Sequence, residues 1–329
     1  MIRDTLVVDA GDVRLAVYVS GPREAPPLVL VHGYPDSATV WEPVRAQLDG
    51  RYRVIAYDVR GAGASEAPAG RAGYRLEKLA ADLAAVVDAT CGGQAFHLVG
   101  HDWGSIQSWE AVTSAAFEGR IASFTSISGP CLDHAALGLR GGRGNIGKRA
   151  DNGNTSDSGH ALGKTTAQTS ARPFASGLRQ TLKSWYIFLF HLPLVPELIW
   201  RCGGARAWPL WLRLTERVRP ARDPAQLRNA VNGVNLYRAN FIDRLLRPRG
   251  RAAHAPVQFI VPLRDLYVGP ALSLGLEGWL GDYTRDTIDA GHWVVLRDPA
   301  GIAAKIDRFA ARHPALSRVN GVSAFVASA

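Results

Sequence analysis

The sequence of 329 residues has no apolar run long enough for a membrane span. Its greasiest stretch, Trp185 to Trp200, is interrupted by His191, Pro193, Pro196 and Glu197, whereas a span needs about 20 apolar residues. The start, MIRDTLVVDAGD, lacks the apolar run of a secretory signal. Cysteine is scarce: Cys91, Cys131 and Cys202 stand far apart, with no CxxC. That argues against a disulfide framework or a zinc site and makes a reducing cytoplasm the expected compartment. Lysine is scarce too, at Lys78, Lys148, Lys164, Lys183 and Lys305 only, so the basic residues are almost all arginine.

Acidic residues are few where basic ones gather. The chain carries 38 Lys and Arg against 29 Asp and Glu, a formal charge of +9; residues 131–251 alone hold 20 against 7. A basic middle could meet an anionic membrane surface or nucleic acid. No nucleic-acid reading motif accompanies it, so no nucleic-acid partner is expected. Charge is all that speaks for membrane contact, and a solvated surface explains it equally well.

What is present is an alternation of strand and helix. Residues 6–21 alternate apolar and polar around Ala10-Gly11-Asp12, a hairpin pattern. The continuous apolar run PLVLVHG (27–33) suits a strand buried on both faces of a parallel sheet; RVIAYDVRG (53–61) reads as another buried strand, and FHLVG (96–100) and IASFTSISG (121–129) as further strands. Between them, residues 37–48 with Ser37 as a cap, 76–90 and 104–116 read as helices. After Pro130 the pattern stops. Residues 139–172, rich in Gly, Ser, Thr, Asn and Asp, read as a flexible loop, and 176–246 as helices with four tryptophans between 185 and 211. A strand at 255–265, a last strand and a turn at 283–293, and a helix at 299–313 resume the first pattern. The expected fold class is α/β, a doubly wound, mostly parallel sheet with a helical insert after the sixth strand. The corresponding division is a core at 1–130, a helical cap at 131–251 and a second part of the core at 252–329.

The sharpest motif is Gly100-His101-Asp102-Trp103-Gly104, between a strand and a helix. A strand that reverses straight into a helix crowds the backbone, so small residues flank it and the central side chain stands above the sheet. In most such turns the centre is Ser; here it is Asp, and no Gly-x-Ser-x-Gly occurs anywhere in the chain. Alone, Asp102 could be an ordinary helix cap, Asp265 a turn residue and His292 a buried structural histidine. All three lie at strand ends in the order nucleophile, acid, base, which chance rarely produces. His32-Gly33-Tyr34-Pro35-Asp36 follows the strand at 27–33. Pro35 has no N–H, so Tyr34 is the natural oxyanion-hole donor, with Trp103 as the second. His32 is expected to shape this loop rather than to act as a base.

These segments, with Gly61-Ala62-Gly63-Ala64-Ser65, resemble the α/β-hydrolase superfamily and within it the epoxide hydrolase family. The likeness runs from about residue 5 to 313, the 139–172 stretch excepted. It is similar in particular to the hydrolase half of bacterial proteins that fuse an epoxide hydrolase to a short-chain dehydrogenase, and nothing after residue 313 resembles a dinucleotide site. The resemblance implies two cap tyrosines that hold the epoxide oxygen, at the matching positions Tyr186 and Tyr237. It implies a covalent ester on Asp102, hydrolysed by water that His292 activates and Asp265 orients, and no metal or organic cofactor. The tryptophan-rich insert suits a hydrophobic small-molecule epoxide and a role in detoxification. Rival readings are a haloalkane dehalogenase with the same Asp102 nucleophile, a non-catalytic receptor on this fold, and an interaction module built on 139–172. Tyr34 stands where dehalogenases commonly carry Asn, and the cap offers tyrosines, so an epoxide is favoured over a halide. Oligomeric state, the particular epoxide and its stereochemistry are not legible in the sequence.

Overall fold

The computed structural model describes residues 4–141 and 185–315. Nearly all of the stretch expected as a loop at 139–172 lies outside these, as do the start of the helical region expected from 176 and the tail from 316.

The elements run β1 (Asp4–Asp9), β2 (Arg14–Ser20), β3 (Pro27–Val31), α1 (Glu42–Leu48), β4 (Arg53–Tyr57), α2 (Leu76–Thr90), β5 (Phe96–His101), α3 (Trp103–Val112), β6 (Ile121–Ile127) and α4 (Leu132–Leu139). Then follow α5 (Trp185–His191), α6 (Val195–Ile199), α7 (Ala205–Thr215), α8 (Gln226–Leu246), β7 (Val257–Pro262), β8 (Tyr283–Ile288), α9 (Val294–Arg297) and α10 (Pro299–Arg312). The strands form one eight-stranded sheet in the order β1-β2-β4-β3-β5-β6-β7-β8. β1 and β2 pair antiparallel as the expected hairpin, with Asp9 opposite Arg14, and β2 joins β4 antiparallel. Every other pairing is parallel. This is the doubly wound, mostly parallel sheet expected from the sequence.

The continuous apolar runs exist because alternate residues of one strand enter different cores. Val29 and Val31 of β3 belong to the cluster that includes Leu79, Leu83 and Val86 of α2. Leu28 and Leu30 belong to the opposite cluster, with Val44 and Leu48 of α1 and Ile302 and Ile306 of α10. Helix α2 buries Leu76, Leu79, Leu83, Val86 and Val87, the three- and four-residue spacing of a single face.

Several boundaries differ from expectation. The segment expected as one helix from Ser37 is a 3-10 turn, Ala38–Trp41, followed by α1. Ser37 makes no capping bond with its side chain; its hydroxyl donates instead to Asp223 at 2.7 Å. The strand expected to reach Gly61 ends at Tyr57, because the Asp58 carboxylate turns back to accept from the Ala38 and Ala64 N–H groups. Helix α3 starts at Trp103 and stops at Val112, not at 116.

Helices α4 to α8 all fall between β6 and β7. Arg249, which follows α8, donates to Glu110 of α3 and to Asp133 of α4, and Asn240 of α8 bonds both the Leu76 N–H and the Tyr74 carbonyl. No helix among the described residues is long and apolar enough to cross a membrane.

Helix α3 lies unusually close to the sheet. A Cβ at Gly104 would overlap the Val31 carbonyl oxygen, and one at Gly100 would overlap that of Gly104. Both obstacles are backbone, so a methyl group there must push the helix off β3. Gly104→Ala is expected to destabilise the chain by about 1–3 kcal/mol, read as a lower unfolding midpoint by calorimetry. Gly50→Ala, where a Cβ meets nothing within 4 Å, should leave the midpoint near its starting value.

Candidate active site

The turn from β5 to α3 holds Asp102 at φ 53°, ψ −123°, a strained backbone for a residue with a side chain. Its amide donates to the Ile127 carbonyl at 2.9 Å and its carbonyl accepts from the Ile106 N–H, so both flanking elements hold the strain in place. The two carboxylate oxygens face different partners. Oδ1 accepts from the Tyr34 N–H at 2.7 Å. Oδ2 lies 3.4 Å from His292 Nε2. The Tyr34 loop gets this close because residue 33 is glycine: a Cβ there would overlap Asp102 Oδ1. Trp103 opens α3, so its N–H is among the first-turn amides that a helix leaves without an internal acceptor.

His292 Nδ1 is 2.8 Å from Asp265 Oδ2. Asp265 Oδ1 accepts from the Tyr267 and Val268 amides at 2.7 and 2.9 Å, which fixes the carboxylate's orientation. Asp265 and His292 are both 1% exposed, so their charges are felt strongly. Burial alone would raise the Asp265 carboxyl, but the charge and hydrogen bond of His292 and the two amides outweigh it and hold it below its usual value. Burial alone would lower His292; Asp265 and Asp102 outweigh that and hold the imidazole well above 6.5. The three residues singled out at separate strand ends therefore meet in one chain of contacts.

Tyr186 of α5 and Tyr237 of α8 reach the same place, with ring centroids 5.9 Å apart. Tyr237 also meets the Trp103 ring edge-on at 4.8 Å. Burial, then neighbouring charge including Asp102, pushes both phenols well above 10, so both keep their protons at neutral pH. With Asp102, they border two cavities. One, of about 130 Å³, extends under α4 and α5 past Leu132, Ala136 and Ile187. The other, of about 80 Å³, is bounded by Tyr34, Trp200, Trp208 and His292. Their walls are mostly aromatic and aliphatic, as in pockets for apolar small molecules.

His32 has the shaping role expected of it. Its Nε2 accepts the Val59 N–H at 2.9 Å and its Nδ1 donates to the Gly33 carbonyl at 2.9 Å, so one ring ties the loops after β3 and β4 together.

Four neighbours escaped the sequence reading. Tyr267 borders both cavities, and its ring is 5.1 Å from that of His292; its place two residues after Asp265 was the available signal. His101 Nε2 donates to the His292 carbonyl at 2.9 Å, and burial, then the nearby His292, pushes its value down to about 4, so the ring is neutral. Glu216, between α7 and α8, belongs to no motif that would mark it, yet its carboxylate faces the backbone of the His292 turn and accepts the Trp293 N–H at 3.4 Å. Asp36 accepts from Trp293 Nε1 at 2.9 Å. No group of three or more His, Cys, Asp or Glu placed to hold a metal ion occurs among the described residues.

Loss of hydration, opposed by the Trp293 bond and helped by Asp102, pushes the Asp36 carboxyl up to about 7. A carboxyl raised on folding binds its proton more tightly in the folded chain. Its stabilising contribution is complete below its ordinary value of 3.8 and is lost as pH rises through about 7. Asp36→Asn should therefore raise the unfolding midpoint at pH 8 relative to that at pH 4, so the gap between them changes. An unaltered gap would contradict the assigned shift.

Comparison with known proteins follows this geometry. Residues 26–299 match the family model described as the alpha/beta hydrolase fold. The chain is 32% identical over 313 residues to a Mycobacterium tuberculosis protein named probable oxidoreductase EphD, covering 92% of this chain and 49% of that one. Epoxide hydrolase A of the same organism is 37% identical over 132 residues, 40% of each chain. The chain thus spans about half the length, or less, of these curated relatives. Among solved structures, a Bacillus megaterium epoxide hydrolase in complex with an inhibitor superposes with a TM-score of 0.70 at 20% identity, covering 93% of this chain and 99% of that one. Epoxide hydrolase A from Mycobacterium thermoresistibile gives 0.69 at 22% identity, covering 96% and 100%. At those identities the likeness is one of fold. By its match over residues 26–299 and its sheet order, the chain belongs to the alpha/beta hydrolase fold family.

Proposed function

We propose that this chain is an epoxide hydrolase, opening a hydrophobic epoxide to a vicinal diol through a covalent ester on Asp102. The observation that carries the reading is the pairing of the Asp102 carboxylate at the elbow, the tight turn from β5 to α3, with two protonated phenols, Tyr186 and Tyr237, on the same cavity wall. The names of the relatives that align over part of the chain, Epoxide hydrolase A and B, support it. In this reading residues 131–251 are a cap over a core made of 1–130 and 252–329, and α5 and α8 bring its tyrosines down to the elbow.

The leaving oxygen of an epoxide is basic, so it needs a proton donor, and the phenols supply one. Asp102 Oδ2 attacks a ring carbon while Oδ1 stays on the Tyr34 N–H. The ring C–O bond breaks, its electron pair goes to the oxygen, and that oxygen takes a phenol proton. Water then attacks Cγ of the ester. His292 Nε2 takes the water's proton, Asp265 holds the imidazole, and the oxyanion faces the Tyr34 and Trp103 amides. Collapse expels the diol oxygen, which takes the proton from His292. The proton lost as Asp102 becomes a carboxylate again restores the phenol. No metal or organic cofactor enters the sequence of steps.

The raised value of His292 fits this order. Two carboxylates hold it up before alkylation. The ester removes the charge on Asp102, so the imidazole loses one of its two supports and becomes a better base when a base is needed.

Asp102→Ala is expected to lower turnover of styrene oxide by about 10⁴-fold or more, followed by diol formation. His292→Gln should accumulate an adduct heavier by the whole mass of the epoxide, read by intact-mass spectrometry. A chloroalkane that adds its mass less HCl, with every epoxide ignored, would mean a dehalogenase; no adduct and no turnover with either would mean a receptor. In a single turnover in heavy-oxygen water, label should enter the Asp102 carboxylate before the diol. Because the base must be neutral, hydrolysis of the ester should slow as pH falls, without a parallel slowing of its formation.

A further inference from the structure

The outer face of the cap is not that of an ordinary solvated surface. On α5, α6, α7 and the turns between them, Phe188, Leu194, Leu198, Leu210, Trp211 and Leu214 are exposed, Phe188 by 69%, Leu194 by 71% and Leu214 by 70%. Scattered exposed leucines are normal; a run of large apolar side chains across consecutive helices marks an interaction surface. These helices already have buried faces. Ile187, Trp200 and Leu212 point inward, Leu212 with no exposure at all. On α7 Ala205, Trp208 and Leu212, at successive turns, face the interior, whereas Leu210, Trp211 and Leu214 stand outside. Folding of the core therefore does not account for the outer residues.

The charges beside them have one sign. Arg201, Arg206, Arg213, Arg217, Arg219 and Arg222 are all exposed. Among the described residues, none of the six forms an ion pair with a carboxylate, in contrast to Arg238, Arg244 and Arg249, which do. The only acids between 188 and 222 are Glu197, which is paired with Arg238, and Glu216, which is buried at the His292 turn. Leucine and tryptophan mixed with unpaired arginine on the outer side of short helices is the composition of helices that lie in the headgroup plane of a bilayer.

We infer that this face of the cap, α5 to α7, docks on the surface of an anionic phospholipid bilayer. The arginines meet lipid phosphates, and the leucines, Phe188 and Trp211 enter the boundary with the acyl chains. Nucleic acid would use the arginines and leave the apolar side chains in water, so lipid fits better. The same helices turn Tyr186, Ile187, Trp200 and Trp208 inward to the cavities beside Asp102. An apolar molecule dissolved in the membrane thus has only the thickness of one helical layer between it and the site. The docking surface itself does not depend on which reaction Asp102 performs.

The full chain is spun down with vesicles of phosphatidylcholine alone and of phosphatidylcholine with one-third phosphatidylglycerol, at low and high salt. Binding is expected to the anionic vesicles, weakened by salt. Arg201→Gln/Arg206→Gln/Arg213→Gln should lower partitioning about tenfold or more. Leu210→Gln/Leu214→Gln should also lower it, with the unfolding midpoint and the turnover of a water-soluble epoxide unchanged. Failure to bind vesicles of either composition overturns the proposal. So does sedimentation equilibrium showing a stable dimer that the leucine variant dissociates, since a second copy would then cover the face. Tighter binding to a DNA or RNA oligonucleotide than to anionic vesicles overturns it as well. Each overturning outcome is read by vesicle binding, sedimentation or oligonucleotide binding and not by turnover, so loss of turnover in Asp102→Ala bears on the proposed function and not on this surface.

Discussion

One imidazole held between two carboxylates organises this molecule. His292 contacts Asp265 through Nδ1 and Asp102 through Nε2, and all three are almost wholly removed from water. Buried charges are tolerated only when partners are close and well aligned. That requirement dictates much of the surrounding structure: the amides of Tyr267 and Val268 on Asp265, the amide of Tyr34 on Asp102, and the carbonyl of His292 on His101. Each of these holds a carboxylate or a loop so that the imidazole keeps its place.

The sheet makes the meeting possible. β5 precedes Asp102, β7 precedes Asp265 and β8 precedes His292, and parallel strands bring all their carboxyl ends to one side. The strain at Asp102, φ 53°, is held by the close packing of α3 on β3 that Gly100 and Gly104 permit. Stability and chemistry therefore share the same glycines, and neither can be altered there without the other.

The helices between β6 and β7 have a double character. Inward they present phenols and aromatic rings to the elbow; outward they present leucines and arginines. Large apolar side chains thus lie on both sides of a thin layer in residues 185–222, some lining the cavities and others exposed. Glu216 joins this layer to the core by holding the turn that carries His292.

Much of this was legible in order and spacing. A continuous apolar run marked β3, because its alternate residues are buried in two different cores, and β4, β5 and β6 were marked as strands alternating with helices. The glycine-bounded Asp102, and Asp265 and His292 in sequence behind it, were marked by their places at strand ends. Tyr186 and Tyr237 were named from likeness to a family and border both cavities; Tyr34, named because Pro35 has no N–H, borders the smaller one. The sequence could not show where strands and helices stop, since Asp58 ends β4 through bonds to distant amides and Ser37 is claimed by Asp223 rather than by its own helix. Nor could it reveal Glu216, His101, Asp36 or Tyr267 as neighbours of His292. Local pattern records which face of an element is buried; which charged groups share one dry space depends on how the elements pack, and only the tertiary structure decides that.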